Sequence, residues 1–240
     1  MNYIFCSKHD QSAIWLYQVL KDQFDALEIV TEDMLWYNKS LRLKISSNAS
    51  HFDIRLHNGI QINSDTTNMV INRFTRLPAD HFMYVENNDK EYAQSESNAV
   101  LVSLLNTIKG EVYNPATANC LYGTLKHPQQ WLKMVAQQGG NTITYPFEKA
   151  LSYQYVSEIK VLVMFGQMVF CNVNIPEDVK SLCLKLSQKS NNPIIEFTFL
   201  QDKIGAMHFS TANLLPNFKE YISRENATNI ATFIHQLVAA

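Results

Sequence analysis

The sequence predicts an α/β protein in two parts: an N-terminal α/β domain, then an α+β domain built on an antiparallel sheet. Three observations carry this. Through the first part, short apolar runs alternate with stretches of helical periodicity, the pattern of strands crossed by helices. From about Ser157 the pattern changes to apolar strands paired across tight turns. The chain of 240 residues is 46% apolar and 11% aromatic, enough to bury a sizeable core and to exclude global disorder. The two parts are expected to span residues 1–115 and 116–240.

Tyr3 to Ser7 reads as a buried first strand, and Gln11 to Phe24 as an amphipathic helix carrying Ile14, Trp15, Tyr17, Val19 and Leu20. Leu27 to Thr31 is a second strand. Leu41 to Ser46, Phe52 to His57 and Gly59 to Asn63 alternate apolar and polar residues as half-exposed strands do, and Asn58-Gly59 predicts a type I′ hairpin turn. Met69 to Phe74 is again apolar. Glu91 to Lys109 places Ala99, Val102, Leu105 and Ile108 at helical spacing before Gly110 stops the helix. Val112 to Asn114 is a strand closed by Pro115, and Pro128 to Gln138 a helix ended by Gly139-Gly140, with Ile143 to Tyr145 extending away. In the second part, Ile159 to Phe165 and Met168 to Asn174 form a hairpin about Gly166-Gln167, and Pro176 to Ser187 is helical. Ile194 to Leu200 and Ala206 to Thr211 pair across Asp202-Lys203-Ile204-Gly205. Arg224 to Val238 closes the chain as a helix with Ile230, Phe233, Ile234 and Leu237 on one face.

Charge removes several function classes. A net charge of −2 and a pI near 6.4 leave no electrostatic footprint for nucleic acid or for an anionic membrane. No signal peptide and no membrane-spanning apolar stretch is evident, so a soluble cytoplasmic protein is expected. Cys6, Cys120, Cys171 and Cys183 lack CxxC spacing and read as reduced buried thiols, and the seven histidines show no metal-ligand spacing. A Gly-x-Ser-x-Gly elbow, a Walker lysine, GxGxxG after the first strand and HExxH are all missing, and seven glycines are few for a chain that must wrap phosphate.

One distributed pattern remains. Val70-Ile71-Asn72-Arg73 ends a strand in arginine, and a helix begins around Ser95-Glu96-Ser97. Val112-Tyr113-Asn114-Pro115 ends the next strand in Asn-Pro, and Lys126 leads the helix to Gln138. Gly139-Gly140 and Thr144-Tyr145-Pro146 follow, then Glu158, Lys160 and the apolar hairpin about Gly166. In this order the chain resembles the ATP-grasp superfamily, in its RimK-like branch of peptide ligases and ribosomal-peptide maturation enzymes. The resemblance implies a pre-ATP-grasp-like α/β domain followed by a reduced ATP-grasp-like domain with an antiparallel sheet. It also implies lysines that counter phosphate charge (Lys126, Lys160), a magnesium site (Glu196, Asn213) and a substrate or partner contact at Arg73.

The departures from that family's pattern shape the functional expectation. Its small sheet supplies a lysine and a Gly-rich phosphate loop, which would fall between Thr144 and Glu158, where this chain has no glycine. Its metal ligands are an acid on one strand and Glu-x-Asn on the next; here Ile195-Glu196-Phe197 keeps the acid, but Thr211-Ala212-Asn213 has threonine in place of the carboxylate.

Each candidate also has a structural reading. Lys126 reads as a solvated lysine at a helix start, Lys160 as an exposed hairpin residue, and Glu196 as a strand residue facing solvent or a partner. Asn213 reads as a turn cap and Arg73 as the partner of Glu96 in an ion pair. The expectation is a catalytically inactive ATP-grasp-like protein, with no catalytic residue and no cofactor, that binds a protein or peptide. The resemblance makes that partner an active ligase or a precursor peptide of a modified-peptide pathway, with a homodimer serving the same end. The alternative is an ATP-dependent carboxylate-amine ligase using ATP and magnesium.

Overall fold

Strand β1 (Asn2–Cys6) lies inside a four-stranded parallel sheet, flanked by β2 (Leu27–Thr31) and β6 (Met69–Arg73), with β7 (Glu111–Tyr113) outside β6. The computed structural model describes residues 1–24, 26–47, 50–75, 79–143, 155–221, 230 and 232–233. Parallel strands covered on both faces read as continuous apolar runs, and all five residues of β6 are buried. Helix α1 (Gln11–Leu20) packs on β1 and β2 through Ala13, Leu16 and Leu20. Its start is fixed by Asp10, whose carboxylate accepts from the Ser12 and Ala13 N–H groups. The expected helix to Phe24 stops at Leu20, and Lys21–Gln23 tighten into a 3₁₀ turn.

A short helix that periodicity did not reveal, α2 (Glu32–Trp36), follows β2 directly, capped by the Thr31 hydroxyl. One turn is too short for a period to register. A second sheet of three antiparallel strands follows: β3 (Ser40–Ile45), β4 (Ser50–Arg55) and β5 (Gln61–Asn63). Phe52, Ile54, Leu56 and Ile62 share one core with Tyr3, Phe5, Val30 and Val70 of the parallel sheet. Leu101, Leu104 and Leu105 of α3 (Lys90–Thr107) complete it.

Two turns differ from expectation. At Asn58-Gly59 only the glycine has positive φ, at 91°. The Gly59 N–H bonds the Leu56 carbonyl and Leu56 N–H bonds Ile60, so this hairpin is a three-residue turn with a glycine bulge. The turn with positive φ at both central residues falls instead at Phe165 (56°) and Gly166 (67°), closed by Gln167 N–H on the Met164 carbonyl. Gly110 follows the end of α3 rather than stopping it, since the helix ends at Thr107. A side chain there would lie 2.3 Å from the Thr67 and Asn68 carbonyl oxygens.

The chain divides into two compact units, Met1–Gly123 with Ile222–Ala240, and Thr124–Tyr221. The second holds α4 (Pro128–Gln137), β8 (Tyr155–Met164), β9 (Met168–Cys171), α5 (Glu177–Ser190), β10 (Ile195–Asp202) and β11 (Met207–Asn213). Its strands form one antiparallel sheet in the order β11-β10-β8-β9. Phe197 meets Trp131 of α4 at 5.9 Å between ring centroids and Phe209 at 6.2 Å, making the aromatic face of this sheet. Helix α5 runs past the expected Ser187 because Asn191, in the left-handed region, terminates it. The predicted closing helix, Arg224 to Val238, lies outside the described residues except for Ile230, Thr232 and Phe233, which are helical.

Candidate functional site

Alternation decides what the antiparallel sheet presents opposite its aromatic face. Phe197 and Phe199 point toward the aromatic packing, so Glu196 and Thr198 point the other way. Cross-strand register adds Lys160, opposite Thr198, and Asn213, opposite Glu196. Four of these polar residues therefore share one face, and three of them are residues singled out from the sequence.

Glu196 is 5% exposed and both its carboxylate oxygens are engaged. The Tyr221 hydroxyl donates to Oε2 at 2.6 Å, and Asn213 Nδ2 donates to Oε1 at 3.3 Å. The amide of Asn213 is oriented by the Leu215 N–H, which donates to its Oδ1 at 3.0 Å. Burial, and then the adjoining Glu196 carboxylate, push the Tyr221 phenol far above its usual range, so it stays a donor at any working pH. Lys160 Nζ sits between Glu158, at 3.7 Å, and Glu220, at 3.8 Å. Lys126 is half-buried one residue before His127, the cap of α4, and forms no hydrogen bond or ion pair among the described residues. The structure thus joins Glu196 to Asn213 by a hydrogen bond, and Lys126 bonds to neither.

Magnesium takes hard oxygen ligands in near-octahedral geometry and draws much of its affinity from carboxylate charge. Here one carboxylate accepts from a phenol and faces the nitrogen of an amide whose oxygen is already used. That donor set does not fit a magnesium ion. Among the described residues, no three His, Cys, Asp or Glu side chains come together as a metal cluster. The expected position of a phosphate loop, Thr144 to Glu158, lies outside the described residues as far as Gln154, and from Tyr155 on it is strand β8.

Arg73 lies in the other unit, at the carboxyl end of the parallel sheet, where α/β sheets commonly place their ligands. It is 4% exposed and forms a two-point ion pair with Asp10, Nε to Oδ2 at 2.7 Å and Nη2 to Oδ1 at 3.2 Å. The pairing with Glu96 is thereby corrected: Glu96 lies on an exposed face of α3, and the acid that meets Arg73 is also the cap of α1.

Around this pair the same sheet edge collects residues that the sequence reading did not single out. Glu32, 3% exposed, accepts from the Ser7 hydroxyl and the Lys8 N–H, each at 3.0 Å. Asp33 bonds Lys8 Nζ at 2.8 Å and His81 Nε2 at 2.6 Å. The Lys8 hydrogen bond, and to a smaller extent that of His81, holds the Asp33 carboxyl below the usual range. The His81 ring stacks on Trp36 at 5.8 Å. Asp10 carried a legible signal, an acid just ahead of a helix, and Glu32-Asp33 directly follow an apolar strand; Tyr221 carried none.

The chain has the ATP-grasp fold, as its likeness to solved structures over nearly its whole length shows. The solved structures that it resembles include the macrocyclase MdnC of Microcystis aeruginosa bound with precursor peptide MdnA, at 10% identity and a TM-score of 0.72, over 97% of this chain and 98% of that one. The ATP-grasp ligase PsnB complexed with a minimal precursor variant, Mg and ADP, aligns at 14% identity and a TM-score of 0.69, over 99% and 97%. A RiPP-associated ATP-grasp ligase of Chryseobacterium gregarium, in complex with ADP and a leader and core peptide, aligns at 10% and 0.65, over 98% and 96%. At these identities the likeness establishes the fold. Comparison of the sequence finds no family model and no curated protein that matches.

Proposed function

We propose that this chain is a catalytically inactive ATP-grasp-fold protein that binds a peptide or protein partner in the biosynthesis of a modified peptide. The observation that carries this reading is the closure of Glu196 by Tyr221 and Asn213, which satisfies by hydrogen bonds the carboxylate that a magnesium ion would need. The missing second carboxylate, with Thr211 in its place, supports it, as does the pairing of Lys160 with two acids. The partner is inferred from the neighbours: structures of the same fold hold precursor, leader or core peptides. An active ligase of the same pathway would serve equally as the protein that this chain accompanies.

The second reading is an ATP-dependent carboxylate-amine ligase, motivated by neighbours of this fold holding ADP, two of them with Mg. Lys126 and Lys160 would then meet phosphate, and Glu196 and Asn213 would have to leave Tyr221 and Leu215 to meet a metal. Calorimetric titration of the full chain with ATP and magnesium separates the two. The expected result is no saturable heat. Binding that disappears in Glu196→Ala would overturn the inactive reading, and purification from the native host that returned the chain alone would count against a stable partner.

A further inference from the structure

Among the described residues, the small three-stranded sheet ends in an edge strand, β3, that pairs on one side only. Cross-strand register puts Leu41 opposite Ile54, Leu43 opposite Phe52 and Ile45 opposite Ser50, so β3 continues the core face of β4. On β4 that face is closed: Phe52 and Ile54 are 1% and 2% exposed. On β3 the same face stands open, with Leu41 and Leu43 at 42% exposure and Ile45 at 70%. Helix α3 packs on β4 and reaches β3 only at Leu41, which lines an apolar cavity of about 200 Å³ with Trp36, Val100 and Leu104. The opposite face of β3 carries Arg42 and Lys44, both exposed and without an ion pair among the described residues. As the terminal strand of its sheet, β3 also turns one side of its backbone away from β4.

Resting on the partner-binding reading above, we infer that β3 receives an extended segment of a partner by strand addition. Main-chain hydrogen bonds form along Ser40–Ile45, apolar side chains of the incoming strand cover Leu41 and Leu43, and acidic side chains meet Arg42 and Lys44. Charge selects this occupant over a second copy of the chain. Two β3 strands pairing antiparallel about Leu43 would set Arg42 of each against Lys44 of the other, and centring on Arg42 or Lys44 would face like cations directly. Registers centred on Ser40, Leu41 or Ile45 overlap over no more than three residues of the strand, and registers centred between residues place a cation opposite a leucine or isoleucine. Like charges across a ladder oppose pairing, whereas an alternating acidic and apolar segment satisfies both faces at once.

The test uses the full chain with a fluorescent peptide alternating valine and glutamate, and its counterpart alternating valine and lysine. The acidic peptide should bind saturably and slow amide exchange over Ser40–Ile45, and the basic peptide should not. The double variant Arg42→Glu/Lys44→Glu changes only exposed side chains; it should weaken the acidic peptide roughly tenfold and gain the basic one. Equal binding of both peptides, protection away from β3, or a sedimenting dimer that protects β3 without peptide would each overturn the inference. A chain that bound Mg-ATP yet still took the acidic peptide on β3 would sink the inactive reading alone. One that ignored ATP, kept its native partner and left β3 unprotected would sink this inference alone.

Discussion

Three side chains hold the polar face of the antiparallel sheet, and the energetics there belong to single groups. Tyr221→Phe removes the phenol donor and leaves a buried carboxylate short of one partner, a loss of about 1–3 kcal/mol. It should appear as a lower urea midpoint at unchanged slope. Arg73→Met strands the Asp10 carboxylate, 15% exposed, beside an apolar chain, and should cost about 3 kcal/mol by the same measurement. Asp33 makes acid stability testable. Its folded carboxyl lies below its ordinary value, so its contribution is present above about pH 4 and is lost as pH falls through the folded value. In Asp33→Asn, stability measured between about pH 5 and 2 should fall less steeply than in the parent chain. Thiol labelling gives a fourth check. Burial, and then Asp10, push Cys6 up to about 12; burial also raises Cys120 and Cys183, while Cys171 alone is half-exposed. At pH 8 the native chain should label first at Cys171.

At the scale of elements, the contrast between Gly110 and β3 separates positions that the fold depends on from positions that it leaves open. Gly110→Ala would drive a methyl into the Thr67–Asn68 carbonyls and should lower stability by at least about 2 kcal/mol, because backbone on both sides must move. Leu43→Lys, on the exposed edge strand, should change it by less than about 0.5 kcal/mol. Most elements were legible from pattern, the parallel strands as apolar runs and α3 and α5 as periodic ones. The misplaced turn shows where that stops. Asn-Gly is the strongest short hairpin signal, yet its loop closes over three residues, while the turn with two left-handed residues uses Phe165, a bulky residue held there with only 5% exposure. Packing overrode local preference at both positions.

At the scale of the molecule, length and composition implied a protein with a substantial core, and the order of strand ends and helix starts implied the ATP-grasp fold. Among the described residues, no helix is long and apolar enough to cross a membrane. Glu196 and Asn213 were legible as candidates because each ends or occupies a strand of the expected order, and the sheet register does place them opposite one another. Their chemistry was not legible. It depends on Tyr221, 25 residues from Glu196, and on the Leu215 N–H that turns the Asn213 amide. The partner of Arg73 was hidden for the same reason, since Asp10 is 63 residues away and reaches it only because β1 and β6 are neighbours in the sheet. By itself the sequence determined which segments become strands and helices and which of their faces are apolar, because those follow from periodicities of a few residues. Only the tertiary structure decided which donor meets which carboxylate and which strand is left at an edge, because such pairings are set by the crossing of distant segments and leave no periodic trace.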